Sequence, residues 1–540
     1  LRRVMPARWP VTAVYLIAAI ALIKLVGDRL GTEIFPKVDA GQLLLRLRAP
    51  SGTRVETTEA LALGALKLIE DEVGKENVAI TLGFVGVHAP SYPINLVYHW
   101  NGGPEEGVVQ VQLKRGAPVQ IDELKERLRE KLRKEMPDVS FSFEPSDIVS
   151  RVMSLGSPTP IEVAVSGPSL AANQAFAEKI REKLERIPAL RDIQYGQSLD
   201  YPTLDVAVNR ERAGLMGVKT IDVSRALVAA TASSRFTQPV YWADPNSGVA
   251  YQIQVQIPQL HLASKEELQN IPVLHRDGKP ILLRNVASVN SGTAVGQYER
   301  YNMARQVTLT ANIHAADLGS VSAEITRALQ EVGRPPPRVN VALRGQVKPM
   351  EQMLNGLQTG LLLAVMVIFL LLAANFQSMA LSLAVVASVP AVIAGVAVTL
   401  WLTGTTINIQ SFMGAIMAIG VAVANAILLV TFAERSRIGG MSAADAALDG
   451  ARSRLRPILM TSLAMMAGMV PMALGLGEGG EQTAPLGRAV IGGLAAATVA
   501  TLLVLPSVFA IVRVRASTKS RSLDPDDPLS GHYVSPVGHD

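Results

Sequence analysis

Residues Ser411 to Arg437 read SFMGAIMAIGVAVANAILLVTFAERSR. The run is apolar and long enough to cross a bilayer as a helix, and no charge interrupts it before Glu434. Gly414, Ala418, Ala422 and Ala426 recur every fourth residue, a spacing of small side chains that lets another membrane helix approach closely. Asn425 falls on nearly the same face, so its carboxamide is presented to neighbouring helices and needs a partner there. The stretch predicts a helix surrounded by others.

Five more apolar runs have spanning length, giving spans at about 11–27, 357–374, 379–403, 411–432, 457–476 and 489–512. Basic residues cluster before the first span, between the fourth and fifth, and after the sixth. The positive-inside rule makes those three segments cytoplasmic, which puts the long segment after the first span outside. The first run has no clean small-residue cleavage site after it. It reads as a retained transmembrane helix entered from a longer or truncated upstream chain.

The 540 residues are 49% hydrophobic with a net charge of +5, and the apolar excess sits at the two ends. Between roughly Asp28 and Met350 the composition is that of a soluble protein. No basic cluster is interleaved with aromatics, so no nucleic-acid partner is expected. The chain has no cysteine, which excludes disulfides, thiolate metal sites and cysteine catalysis. The seven histidines show no ligand spacing, so no metal site is expected. No phosphate-binding loop, nucleophile elbow or paired-carboxylate site appears, so neither a cofactor nor enzymatic catalysis is expected.

Inside the segment after the first span, a strand–helix–strand grammar repeats four times. Leu43–Leu47, Thr57–Val73 and Val78–Phe84 form the first unit, with Gly74 as helix C-cap. Val108–Leu113, Ile121–Met136 and Val139–Phe143 form the second. Ile161–Val165 leads into a helix with a stripe of Phe176, Ile180, Leu184 and Ile187. Val307–Ile313 leads into a helix bearing Val321, Ile325, Leu329 and Val332, closed by Gly333 and followed by Val339–Leu343. Four such units in pairs predict two α+β sandwiches of the split βαβ, ferredoxin-like type. An all-β insertion at about 235–295 carries two hairpin signals, Asp244–Gly248 and Asp277-Gly278. The expected fold is thus a polytopic α-helical membrane protein with a large extracytoplasmic α+β module and a β-rich insertion.

In this order, EIFPKVDAGQ at Glu33–Gln42, APSGT at Ala49–Thr53, GVAVANAILLVTFAE at Gly420–Glu434 and RLRPILMTSLA at Arg454–Ala464 carry a family resemblance. Over about residues 1–515 the chain resembles the C-terminal half of a resistance-nodulation-division (RND) efflux permease of the hydrophobe/amphiphile type. The resemblance implies a first helix at 1–30, a porter subdomain at 31–156, and a second porter subdomain split into 157–234 and 296–350. It further implies a docking insertion at 235–295, a five-helix bundle at 351–515, and a tail at 516–540, whose polar, Pro-containing composition reads as disordered.

It implies an inner-membrane location, with the module in the periplasm and membrane lipids around the bundle. It implies a homotrimer or hetero-assembly with a periplasmic adaptor and an outer-membrane channel. An N-terminal half would be supplied in cis or in trans, because none of the six spans has an Asp or Glu in its apolar interior. The implied activity is secondary, proton-driven export of hydrophobic or amphiphilic compounds. The alternatives are a lipid or metal-ion exporter, or an uncoupled membrane-anchored scaffold.

The family's proton relay uses a Lys, a Thr and an Arg that respond to an acidic pair. Thr461 holds the Thr position, and Arg454 lies seven residues before it, on the same face if the helix continues past Pro457. The Lys position is Ala424, which leaves Asn425 as the nearest polar group. Packing glue for Asn425, a hydroxyl bonded to its own backbone for Thr461 and a membrane anchor for Arg454 are the plainer readings. The methionines at 465, 469 and 472 suit soft metals or simple packing. For substrate the informative stretch is Gly83–Trp100. Phe84, Gly86, His88, Pro90, Tyr92, Tyr98 and Trp100 would form an aromatic, mobile loop against promiscuous ligands. Ordinary aromatic packing is the alternative there.

Overall fold

The computed structural model describes residues 5–36, 41–87, 101–258, 261–262, 264–477, 479–514 and 516. Among the described residues, six helices are long and apolar enough to cross a membrane: Met5–Gly27, Val347–Phe376, Met379–Leu402, Ile409–Ile438, Ala443–Ala473 and Gly480–Arg513. Each overlaps one of the six expected spans; the third and fifth end earlier than expected, at Leu402 and Ala473 against 403 and 476, and most other ends run longer. Pro457 sits inside the fifth without ending it. The third and sixth are interrupted, the third between Val386 and Val389 and the sixth by a π turn at Ala500–Val504. At the first interruption the Tyr15 hydroxyl of the first span donates to Ala387 O (2.7 Å) and accepts from Ala391 N (3.2 Å), standing inside the helical ladder it replaces.

The third, fourth and sixth spans form the packed centre, while the first, second and fifth expose most of their surface. The small residues of the fourth span explain its place. A Cβ on Gly414 would lie 2.6 Å from Leu486 O and 2.8 Å from Ala489 Cβ, and one on Gly493 would lie 2.7 Å from Ala418 Cβ. Backbones therefore touch, which gives dispersion contact where lipid offers no hydrophobic drive.

Two sheets, of four and five strands, share one four-strand order after the first span. In the first, Val78–Val85, Glu106–Leu113, Gln42–Arg48 and Ser140–Glu144 lie in that order, antiparallel. Helices Val55–Val73 and Ile121–Glu135 cover one face through Leu43, Leu45, Leu47, Ile69, Leu124 and Leu128. In the second, Leu190–Tyr195, Ala304–Ile313, Ile161–Ser166 and Asn340–Gly345 repeat the order, with Glu299–Tyr301 as a short hairpin partner. Helices Leu170–Leu184 and Leu318–Val332 cover it. Ile187 follows the first of these helices instead of extending its stripe, but it packs on the same core.

The insertion between the halves of the second sheet is wider than 235–295 and is not all-β. Tyr201–Val208 pairs along its length with Ala287–Ala294, and helices Arg210–Leu215 and Thr220–Thr231 belong with them. The reason is burial. Ala213, Val223 and Ala230 on those helices find cover from Leu268, Val273, Leu283 and Val286 of the insertion. Both expected hairpins form, at Val240–Ala243 with Ala250–Ile253 and at Pro272–Arg276 with Lys279–Leu282.

Candidate functional site

The uncovered faces of the two sheets are polar and buried together. In Gln42–Arg48, Leu43, Leu45 and Leu47 enter the core, so period-two alternation sends Arg46 to the other face. That face is not solvent: Arg46 is 3% exposed, Glu106 2% and Glu144 6%. Arg46 Nη2 donates to both oxygens of Glu106 (3.2 and 3.4 Å), and its Nη1 lies 3.7 Å from Glu144 Oε1. Arg48 also grips Glu106 and then crosses to the second sheet, donating to Tyr195 O (2.7 Å) and Gly196 O (2.8 Å).

Further contacts fix the subdomains to each other, Arg191 Nε to Glu126 (3.1 Å) among them. Ser51 donates to Asp200 (2.8 Å). Asp192, backbone φ +54°, accepts from Arg129 Nε (2.8 Å), Arg129 Nη2 (2.7 Å), Phe143 N (3.1 Å) and Asn312 Nδ2 (2.9 Å).

Two cavities open on this polar seam. The upper, about 1570 Å³, is a cleft floored by the second sheet and lined by Arg46, Glu162, Glu299, Thr308 and Arg344. The lower, about 570 Å³, lies against the bundle and is lined by Glu33, Phe35, Arg129, Glu144, His314 and Glu481. Burial pushes the Glu144 carboxyl up to about 7, against the pull of Arg46 and Arg151. Burial likewise raises Glu162 and Glu105. Glu106 is buried too, yet the two guanidiniums hold it below the usual carboxylate range. A seam of this kind presents carboxylates to a cation while keeping each charge partly compensated.

Of the expected substrate-loop residues, Phe84 and Gly86 are described. Phe84 is half-buried at the end of an edge strand. Gly86 has φ +73° and donates its N–H to Glu106 O, so the loop leaves directly beside the charged seam. Asn101 closes the loop base by donating to Phe84 O and Gly86 O, both 3.3 Å. His88, Pro90, Tyr92, Tyr98 and Trp100 lie outside the described residues.

In the bundle, Asn425 is half-buried and its side chain makes no hydrogen bond among the described residues, and Ala424 beside it is exposed. Thr461 is exposed and donates to Pro457 O and Ile458 O of its own helix, both 3.1 Å. Arg454 stacks on Phe432, its guanidinium carbon 3.8 Å from the ring centroid, with Nε lacking a hydrogen bond among the described residues. The fourth and fifth spans pack together, but no hydrogen bond joins these three residues.

The charged seam was not singled out from sequence. Its signal is the R-L-R alternation at Arg46–Arg48 and the Glu105-Glu106 pair, which read as a solvated face until a second sheet is known to cover it.

Six apolar helices carrying a doubled split-βαβ module define a polytopic membrane protein with the architecture of an efflux permease half. The chain belongs to the AcrB/AcrD/AcrF family of RND permeases, whose family model matches residues 1–513; with the six apolar helices this makes it an inner-membrane protein. It is 26% identical over 513 residues to the cobalt-zinc-cadmium resistance protein CzcA of Cupriavidus metallidurans, covering 93% of this chain and 47% of that protein. Protein HelA of Legionella pneumophila is 28% identical over 550 residues, covering 98% and 50%. Multidrug resistance protein MdtC of Salmonella paratyphi C is 25% identical over 493 residues, covering 90% and 46%. A crystal structure of a heavy metal efflux pump superposes with a TM-score of 0.82 at 23% identity, over 95% of this chain and 52% of that one. The chain spans about half the length of the curated relatives it matches.

Proposed function

We propose that this chain is the C-terminal half of an RND exporter that moves cations, metal ions first among them, out across the inner membrane. The observation that carries the reading is the pairing of relatives named for cobalt, zinc, cadmium and nickel resistance with a seam of buried carboxylates between the two sheets. The substrate class expected from sequence, hydrophobic or amphiphilic compounds, has support from the multidrug relatives alone. The metal-ion alternative has the greater support. Export is secondary transport with no chemistry done on the cargo.

Proton coupling needs carboxylates inside the membrane. Those come from the other half, in cis or in trans, and Thr461, Arg454 and Asn425 respond to them. Ala424 contributes no cation, so Arg454 is the positive charge this chain gives the relay. The module stands in the periplasm, the insertion meets an adaptor or outer channel, and the assembly is a trimer or a hetero-assembly. The test is a tolerance panel in cells expressing this chain together with a first half. Raised zinc, cobalt or cadmium tolerance supports the reading; raised tolerance to dyes and detergents alone returns the substrate to the amphiphile class.

A further inference from the structure

Residues lining the two cavities meet at several points, Gln346 with Ser154 (3.2 Å) and Arg46 with Glu144 among them. Arg46 lines the upper cleft, Glu144 lines the lower cavity, and 3.7 Å separates Nη1 of one from Oε1 of the other. That distance is too long for a hydrogen bond. Glu144 Oε1 is buried and accepts none among the described residues, although its side chain is only 7% exposed. A permanent wall would satisfy such a group, because leaving a buried carboxylate oxygen unmatched is costly. Arg46 has a second anchor in Glu106, so it keeps a partner if Glu144 is lost.

We propose that the Arg46–Glu144 contact is a gate between the cavities, closed while the ion pair holds and opened when Glu144 takes up a proton and Arg46 withdraws onto Glu106. This rests on the export reading for its purpose: cationic cargo entering beside the membrane passes upward only after a proton has been bound. Burial places the Glu144 proton equilibrium at about 7, so the pair switches within the range a cell compartment visits. The groups that face Glu144 from its own sheet are Arg46, Arg48 and Glu106, with Arg151 from the short helix after its strand. Across the lower cavity stand Asp122, Lys125, Arg129, Asp147 and His314. Glu33 and Glu481 stand at its membrane end. Arg129 is committed to Asp192 and Glu126.

The chain has no cysteine, so a single reporter thiol is unambiguous. Ser142 is opposite Arg46 in the strand ladder and 0% exposed. A Ser142→Cys chain in nanodiscs is labelled with the trimethylammonium-ethyl methanethiosulfonate reagent, and its rate is divided by that of an exposed Ser291→Cys control at each pH. Thiol ionisation alone makes labelling faster as pH rises, so the gate is read as the opposite trend. The ratio should rise about thirtyfold from roughly pH 8.5 to roughly pH 5.5, following the neutral fraction of Glu144. Glu144→Gln should hold it high at every pH, and Glu144→Asp should restore pH dependence. A flat ratio in the Glu144 chain overturns the gate, as does an unchanged pH curve in Glu144→Gln. The assay needs no transport, so failure of the export reading leaves its outcome untouched.

Discussion

Replacing Asp192 by Ala should loosen the joint between the two α+β subdomains. Arg129 would lose two charge-assisted hydrogen bonds, from Nε at 2.8 Å and Nη2 at 2.7 Å, with its side chain 9% exposed and Glu126 its remaining carboxylate. Breaking a buried ion pair by removing one partner costs about 3–5 kcal/mol. Phe143 N and Asn312 Nδ2 lose the same acceptor, and Ala tolerates the left-handed backbone at this position about 1 kcal/mol less well than Asp. These losses overlap, so the joint should weaken by about 4 kcal/mol, roughly a thousandfold in local opening.

Hydrogen exchange of the Ser140–Glu144 amides in the detergent-purified chain reads that opening. Asp192→Asn keeps the shape and one acceptor oxygen and tolerates the same backbone, so it should lose about half as much free energy. The expected order of protection is Asp, then Asn, then Ala. Protection in Asp192→Ala within about tenfold of the parent, or equal losses for Asn and Ala, would refute the joint.

Glu144 makes stability fall as pH rises. Its folded-state pKa is lifted by burial to about 7 from an unfolded value of 4.5. The folded chain therefore holds the proton more tightly, and stability fully present below the unfolded value is lost as pH climbs through the folded one, by on the order of 3 kcal/mol. Denaturant midpoints of the parent and of Glu144→Gln should diverge toward pH 8, with Gln the more stable; parallel curves would show the carboxyl is not titrating there. Gly414→Val should cost about 1–3 kcal/mol by overpacking against the sixth span. Gly420→Val, with nothing within 4 Å, is its control, and similar melting temperatures for both would count against the close crossing. With a first half present, Thr461→Ala should abolish metal tolerance while expression is unchanged. Full tolerance would assign the hydroxyl to its own helix backbone, where it is bonded in this structure.

The spans and both sandwiches were legible because their signals are local. Apolar length marks the helices, and stripes such as Val321, Ile325 and Leu329 mark the faces that meet a sheet. The width of the insertion was not legible: Thr220–Thr231 has an amphipathic pattern that does not say which sheet or hairpin will cover it. The charged seam stayed hidden for the same reason. Arg46 alternates with leucines as a solvated residue would, and only the second sheet, more than a hundred residues further on, turns that face into an interior. A mid-helix amide such as Asn425 calls for a partner, yet its side chain has none among the described residues; Ala424 and Thr461 are both exposed.

That open polar margin leads to the most direct measurement. The chain alone, and the chain with a first half bearing intramembrane carboxylates, are reconstituted in vesicles holding a zinc-sensitive dye, and a pH gradient is imposed. The account predicts gradient-driven zinc movement only in the paired vesicles. Zinc driven across by this chain alone would contradict it.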